Sequence, residues 1–172
     1  MRPTNGAPPR PQTGSGANAA LIAIGVVVAG LVLISIAGIL AAIAIPNFLT
    51  AMQRSRQKRT MADIRSVGVA VENYAADEKR LPEGSTVADL EPSLVPKYIR
   101  KLPRQDGWSH VLRYSATADA YFIGSGGGDG RFEHDALNDY TQRPTTNFDC
   151  DIVFSNGSFV QYPDMVQPAG GQ

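Results

Sequence analysis

The stretch that decides the fold is ANAALIAIGVVVAGLVLISIAGILAAIAI, residues 17 to 45, in which only Asn18 and Ser35 are polar. A membrane-spanning helix needs about 20 apolar residues, whereas the apolar region of a secretory signal peptide has only about 7–15. A chain of 172 residues is also too short to wrap so long an apolar helix inside a soluble core. The run therefore predicts a single membrane-spanning helix.

The helical pattern continues beyond this run. Apolar residues recur at helical spacing as one stripe, formed by Ile64, Val67, Val71, Tyr74 and Ala75. We expect one helix from Ala17 to Ala76, kinked at Pro46 because proline lacks the backbone N–H and its ring clashes with the preceding turn. Residues 1–16 and 166–172 are expected to be tails, 17–45 the membrane part of the helix, 46–76 its continuation and 77–165 a globular domain.

The remainder of the chain predicts a small sheet. Four short runs are typical of strands: Val111–Ser115, Ala120–Ser125, Ile152–Ser155 and Phe159–Tyr162. The last two flank Asn156-Gly157, a pair that tolerates the positive φ of a tight hairpin turn. A proline-rich connection between helix and sheet contains one expected short helix, Ser93–Ile99. A helix packed on an antiparallel sheet gives the fold class α+β.

The charges are segregated although their sum is zero, with 16 bases and 16 acids. None lies between Arg10 and Arg54, and four bases then follow within six residues: Arg54, Arg56, Lys58 and Arg59. We expect this basic run to meet lipid headgroups or acidic neighbours. Contact with DNA is the alternative, although no nucleic-acid partner is expected. The single cysteine, Cys150, rules out an intrachain disulfide.

Several motifs together resemble the type IV pilins and the type II secretion pseudopilins. Residues 36–48 (IAGILAAIAIPNF) resemble the family's N-terminal helix, 74–82 (YAADEKRLP) its helix end, and 102–108 (LPRQDGW) its turn into the sheet. The glycine-rich stretch 124–130 (GSGGGDG), followed by 149–152 (DCDI), is similar to the calcium loop of the major, G-type pseudopilin. The resemblance implies a pilin-like fold with a long N-terminal transmembrane helix.

Two positions depart from the family pattern. Aligned on Pro46, Ile24 stands where the family has the glycine before the cleaved bond, and Ala29 where it has a glutamate. A cut after Gly16 would place Leu21 at the glutamate position. A carboxylate within the membrane costs about 2.5–3.5 kcal/mol, and its partner in the family is understood to be the amine freed by cleavage. We expect an unprocessed N-terminus; a wrongly assigned start or a diverged peptidase is the competing explanation.

The resemblance implies a non-enzymatic, structural subunit of a type II secretion pseudopilus that supports export of folded proteins. Its partners would be other pseudopilins or copies of itself through the N-terminal helix, the inner-membrane secretion platform and the lipid bilayer. It would lie in the bacterial inner membrane, with its N-terminus in the cytoplasm and its domain in the periplasm. A type IV pilin or minor pilin is one alternative, and a stand-alone membrane-tethered calcium-binding module is another.

The implied cofactor is calcium, which takes six to eight oxygen ligands from carboxylates, carbonyls and water. The expected ligands are Asp129, Asp149 and Asp151, with carbonyls from Gly124 to Gly128 and with Asp135 or Asp139 as alternates. In the alternative interpretation, Asp129-Gly130 is an ordinary turn and the other two acids are solvated strand ends.

Other chemistries find little support in the sequence. Asp129 replaces the third glycine of a phosphate-binding G-x-G-x-x-G, and no Gly-Lys-Ser/Thr follows. The two histidines, His110 and His134, lack further zinc ligands at useful spacing. Cys150, between two aspartates, is expected to have a raised pKa and to act as a small buried apolar residue. Trp108 is expected to anchor the core or a turn.

Overall fold

The apolar run lies within one continuous helix, α1, which extends from Ser15 to Glu78 and contains Pro46. The computed structural model describes residues 15–145 and 147–163. The predicted helix is confirmed to within two residues at each end, the usual uncertainty of helix boundaries. Of the predicted tails, residues 1–14 and 166–172 lie outside the described residues, whereas Ser15 and Gly16 are helical.

The chain divides into two compact units, Met1–Phe48 and Leu49–Gln172. In the first unit, α1 is long and apolar enough to cross a membrane by length and composition. Its most apolar window has a mean hydropathy of 2.9, and none of that window is buried. Large apolar side chains along this part, such as Leu33 and Ile34, are about two-thirds exposed.

In the second unit, the predicted stripe of α1 faces the core. Ile64, Val67 and Val71 are completely buried and Tyr74 nearly so, while Arg65 and Glu72 are exposed. Gly68 lies in the same face. A Cβ atom there would sit 2.4 Å from a ring carbon of Phe154, so a residue without a side chain is needed for the helix to approach the sheet this closely.

The connection after α1 differs from the expectation. A 3-10 turn, Val87–Leu90, leads directly into a short helix α2, Glu91–Leu94, so the predicted helix Ser93–Ile99 is wrong in position. Val95 is extended (φ −99°, ψ 137°) because a residue before proline is sterically excluded from the helical region. Pro96 therefore sets the end of α2.

Within the described residues, the sheet has five strands in the order β1-β2-β4-β5-β3. They are β1 Arg113–Ala116, β2 Tyr121–Ser125, β3 Arg143–Thr145, β4 Ile152–Ser155 and β5 Ser158–Pro163. Four strands correspond to the predicted ones and pair antiparallel. The predicted α+β fold is confirmed, and β3, which the sequence did not predict, adds a parallel pair with β5 that makes the sheet mixed. Pro144 in β3 is tolerated because β3 is an edge strand.

The hairpin between β4 and β5 turns where the sequence predicts it. Asn156 has φ +43° and Gly157 φ +84°, the left-handed pair that matches the twist of the flanking strands. The side-chain oxygen of Asn156 also accepts the backbone N–H of Tyr121 at 3.2 Å. The turn is thereby bonded to the start of β2.

Two apolar clusters stabilise the second unit. The larger joins the α1 stripe to the sheet and the connection, and includes Leu90, Leu94, Leu112, Tyr114, Ile123, Ile152 and Phe154. The smaller lies on the other side of the sheet, where Leu137, Tyr140 and Val153 are buried against Phe122, Phe132 and Val160. The long segment between β2 and β4 is therefore anchored by its own apolar residues.

Candidate functional site

A tight turn, residues 106–110, supports the glycine-rich stretch. The buried carboxylate of Asp106 accepts the backbone N–H groups of Trp108 and His110 on Oδ1, each at 2.9 Å. Its Oδ2 accepts the hydroxyl of Ser125 at 2.6 Å. This buried acid is fully engaged in hydrogen bonds, as burial of a polar group requires.

The same turn is bonded to α1. The backbone N–H of Gly107 donates to Thr60 Oγ1 at 2.8 Å, and the indole N–H of Trp108 donates to Gln53 Oε1 at 2.6 Å. Trp108 is half-buried and packs against the main core. The expectation that it anchors a turn is confirmed. The turn thus joins the helix to the loop that follows β2.

The glycine loop, residues 124–130, is held from both sides. His110 Nδ1 lies 3.0 Å from the carbonyl oxygen of Gly127, so that nitrogen must carry the proton for a bond to form. On the other side, Gly128 donates its N–H to Phe148 at 2.8 Å. Gly127 has φ +63°, and a Cβ there would lie 2.5 Å from the carbonyl oxygen of Cys150. Only glycine fits at position 127, where the loop passes this close to the backbone of Cys150.

Two of the three predicted ligands face one cavity of about 220 Å³, which we call the acidic cavity. Asp129 and Asp149 both line it and are exposed, and Asp129 Oδ1 accepts the N–H of Arg131 at 2.9 Å. The remaining lining residues are Arg131, Phe132, Glu133, Asn147 and Cys150. The alternates, Asp135 and Asp139, do not line it.

Asp151 differs from the other two because it is completely buried. Its Oδ2 accepts the N–H of Glu133 at 2.8 Å and the hydroxyl of Tyr140 in a short hydrogen bond. Its Oδ1 has no hydrogen-bond partner among the described residues. Burial raises the pKa of this carboxyl, and the charges of Glu133 and Asp129 raise it further, against the two hydrogen bonds. Asp151 therefore ties the segment after the loop to β4.

The donor set matches the chemistry of calcium, since carboxylate and amide oxygens surround the acidic cavity. Within residues 15–145 and 147–163, however, no three His, Cys, Asp or Glu side chains gather as a group that could hold a metal. An ion here would need backbone carbonyls and water for the rest of its oxygen shell. Calcium binding stays a prediction.

Cys150 lies at the edge of this cavity and is half-buried rather than fully buried. The pKa of its thiol is raised, first by burial and then by the charge of Glu133, with Asp151 a smaller cause. The expected direction is confirmed, but the leading cause is burial and not the flanking aspartates. A raised pKa leaves little thiolate at neutral pH and disfavours a nucleophile.

Sequence reasoning missed several residues that shape this region. The role of Asp106 is signalled only by its place in the quoted 102–108 motif. Nothing in the sequence indicates that Ser125 bonds to Asp106, or that Tyr140 and Glu133 bond to Asp151 across 11 and 18 residues. These contacts join segments far apart in the chain, which local pattern cannot reveal.

The basic run on α1 is largely solvated. Arg54, Lys58 and Arg59 are exposed and Arg56 is half-buried. Arg59 pairs with Asp63 at 3.5 Å, one helical turn onward, an exposed geometry that contributes little to stability. The run is free to interact with groups outside the chain.

The long apolar helix continuing into a helix packed on a small sheet defines an α+β, pilin-like fold. Three curated relatives are each described as type II secretion system core protein G. The protein from Pectobacterium carotovorum subsp. carotovorum is 30% identical over 89 residues, 45% of this chain and 56% of the relative. The protein from Klebsiella michiganensis is 32% identical over 89 residues, 45% of this chain and 62% of the relative.

The third relative, from Pseudomonas aeruginosa, is 29% identical over 125 residues, 62% of this chain and 85% of the relative. The chain spans less than two-thirds of the length of the first two. No family model matches the chain, and no solved structure does. Over part of its length, the chain is therefore similar to proteins described as type II secretion system core protein G.

Proposed function

We propose that this protein is a structural subunit of a type II secretion pseudopilus that supports export of folded proteins. The similarity to three secretion core proteins supports the system. Its partners in this proposal are other pseudopilins or further copies of itself, together with the inner-membrane secretion platform and the bilayer. The relatives favour this role over that of a type IV pilin.

The observation that carries the proposal is that the two parts of α1 differ in the exposure of their apolar side chains. Its first part exposes large apolar side chains, while one face of residues 64–74 in the same helix, including Ile64, Val67 and Val71, is buried in the main core. Exposed apolar surface of this extent is stable only in lipid or against other apolar surfaces. Helices in lipid associate through close packing, so copies held by this helix can assemble side by side.

In this proposal the protein lies in the bacterial inner membrane, with the N-terminus in the cytoplasm and the domain in the periplasm. The basic run beside the domain favours the opposite orientation by the positive-inside rule. Long domains, however, cross largely regardless of charge, so the basic run does not exclude the orientation that the resemblance to the pseudopilin family implies. We also propose that the N-terminus is retained, because Ile24 and Ala29 replace the family's processing signal.

Cross-linking in native membranes tests the assembly. Two differently tagged full-length copies, both carrying Ile36→Cys and Cys150→Ser, are expected to cross-link through α1 and to co-isolate. Arg80→Cys in place of Ile36→Cys is the control, since it lies after the helix. Monomers alone would contradict the proposal and favour a stand-alone membrane-tethered module. Recovery in surface fibres would instead favour a pilin.

We further propose that calcium binds in the acidic cavity, with Asp129 and Asp149 supplying carboxylate oxygens. Both acids and Glu133 face this space, and carboxylate oxygens are ligands that calcium prefers. Ordering a residue's backbone costs about 1–2 kcal/mol, and a bound ion would add to the hydrogen bonds and apolar contacts that already hold this segment. An ion bound only by the folded state adds about 2.7 kcal/mol at a hundredfold excess over its dissociation constant.

Thermal unfolding of the full chain in detergent, followed by the fluorescence of its single tryptophan, tests calcium. The melting temperature is expected to be higher in millimolar calcium than in chelator, with magnesium a poor substitute because it prefers compact octahedral sites. Asp129→Ala and Asp149→Ala should each abolish the difference. Asp139→Ala, an exposed acid outside the cavity, should preserve it. Equal melting temperatures with calcium and with chelator in the native chain would contradict the proposal.

A further inference from the structure

The second unit contains a groove of about 910 Å³ between α1 and the connection to the sheet. Its charged lining residues are Arg59, Arg100, Lys101 and Arg104 on the basic side and Asp63 and Glu91 on the acidic side. The polar residues Ser66 and Gln105 and several apolar residues complete the walls, and one of the apolar residues, Val111, is 52% exposed. The groove therefore combines uncovered apolar surface with an excess of positive charge.

The excess positive charge of the groove comes from two side chains, Arg100 and Lys101. Arg59 is paired with Asp63, and Arg104 with Glu91. Arg100 and Lys101 are exposed and take part in no ion pair among the described residues. The groove thus has an unmatched positive end, which a surface carrying closely spaced carboxylates would complement.

Such a surface is present on the same chain, in a segment we call the acidic ridge: Glu133, Asp135 and Asp139. All three are exposed, and within the described residues none forms an ion pair. None of the three lines the groove. Among the described residues, the ridge and the groove therefore do not cover each other.

The ridge is held in a defined shape. Leu137 and Tyr140 beneath it are buried in the smaller apolar cluster. The guanidinium of Arg113 donates to the carbonyl oxygen of Asp135 and stacks 4.6 Å from the ring centre of Phe132. Carboxylates on an anchored segment lose less freedom on binding than those on a mobile one, which suits the ridge to docking.

We infer that the acidic ridge of one copy docks against the Arg100–Lys101 end of the groove in the next copy. This inference rests on the proposed function, since copies held in one membrane by α1 meet at a high effective concentration. Each copy offers one groove and one ridge, so the contact is head-to-tail and can repeat along a series of subunits. Charge complementarity of this kind selects the partner and its register.

The test uses full-length, differently tagged copies in membranes, all in a Cys150→Ser background. Arg100→Cys in one copy and Asp139→Cys in the other should cross-link, whereas Arg80→Cys with Asp139→Cys should not. Adding Lys101→Glu to the first copy, or Asp135→Lys to the second, should reduce the cross-link roughly two- to fivefold, the range for one exposed ion pair. Introducing both reversals should restore the cross-link. Added salt should weaken the cross-link only in the two combinations with complementary charges, the native one and the doubly reversed one.

The outcomes separate this inference from the proposed function. Two results would overturn the docking but leave the assembly supported. In both, the Ile36→Cys copies cross-link through α1. In the first, the groove–ridge pair does not cross-link, and in the second, charge reversal does not change its cross-link. If neither pair cross-links, the assembly fails and the docking with it. If single reversals act but the double reversal does not restore the cross-link, the groove binds a different acidic partner and the inference is wrong. Unchanged tryptophan melting curves establish that each variant is folded.

Discussion

At the scale of single residues, two buried aspartates organise the loops in different ways. Asp106 has both oxygens hydrogen-bonded by the turn and by Ser125. Asp151 is also buried, but one of its oxygens has no hydrogen-bond partner among the described residues. An incompletely satisfied buried carboxylate destabilises the folded state when it is charged, so Asp151 should make stability depend on pH.

The expected direction follows from linkage. The pKa of Asp151 is raised in the folded state above its ordinary value of 3.8. At pH values between the unfolded and the folded pKa of Asp151, the folded chain binds more protons than the unfolded chain. The free energy of unfolding therefore falls as pH rises through this range, by about 1.4 kcal/mol per unit of pKa difference. In chelator, Asp151→Asn should therefore gain stability relative to the native chain as pH increases from about 4 toward neutrality.

Denaturant unfolding at several pH values measures this difference, with Asp139→Asn at an exposed position as the matched control. A difference between Asp151→Asn and the native chain that does not change with pH would contradict the role assigned to the buried carboxyl.

A second residue-scale prediction concerns Asp106. Replacing it by Asn keeps the shape and one oxygen that can accept the two backbone N–H groups. The amide N–H₂ then faces the hydroxyl of Ser125, which now donates to Asp106 and would lose its acceptor. Asp106→Asn should lose about 1–3 kcal/mol, the usual cost of an unsatisfied buried partner. The fluorescence of Trp108 should change as the turn loosens. Gln105→Glu, on the exposed neighbour, controls for a change on the surface. Native fluorescence and stability in Asp106→Asn would refute the assigned role.

At the scale of elements, α1 in the second unit has a buried face and an exposed one. Val67 is completely buried, while Val69, two residues onward, is 50% exposed. The helical period of 3.6 residues places these two neighbours on opposite faces. The pair therefore gives a matched comparison within one helix.

Val67→Asp should bury an unpaired charge in the main core and destabilise the second unit by about 3 kcal/mol or more. Val69→Asp should change stability by no more than about 0.5 kcal/mol, as is usual for exposed positions. Tryptophan-monitored unfolding of both full-length variants compares them directly. Equal losses would mean that the buried face of the helix is wrongly assigned.

At the scale of the whole molecule, assembly and processing decide how the protein acts. If the N-terminus is kept, the free amine that would pair with a membrane glutamate in the family is absent, and Ala29 needs no partner. The intact mass of protein purified from its own cell should therefore include Met1 or Arg2. A mature chain beginning at or near Gly25, or at Ala17, would contradict the proposed retention.

The sequence alone determined the features that depend on local pattern. The length of the apolar run, the stripe from Ile64 to Tyr74 and the Asn156-Gly157 turn were all predicted at the positions where the structure has them. Each is governed by neighbours within about one or two helical turns or one hairpin, so composition and period were sufficient.

Only the tertiary structure decided how distant segments meet. Strand β3 is three residues long, contains Pro144 and shows no alternation, so nothing local marked it as a strand or indicated its parallel pairing with β5. The family resemblance grouped Asp129, Asp149 and Asp151 as ligands, and packing gave them different surroundings. Tyr140, buried in the smaller cluster, bonds Asp151 inside the fold, while the other two remain exposed at the acidic cavity. Which carboxylates face water is set by these long-range contacts, and local sequence does not encode them.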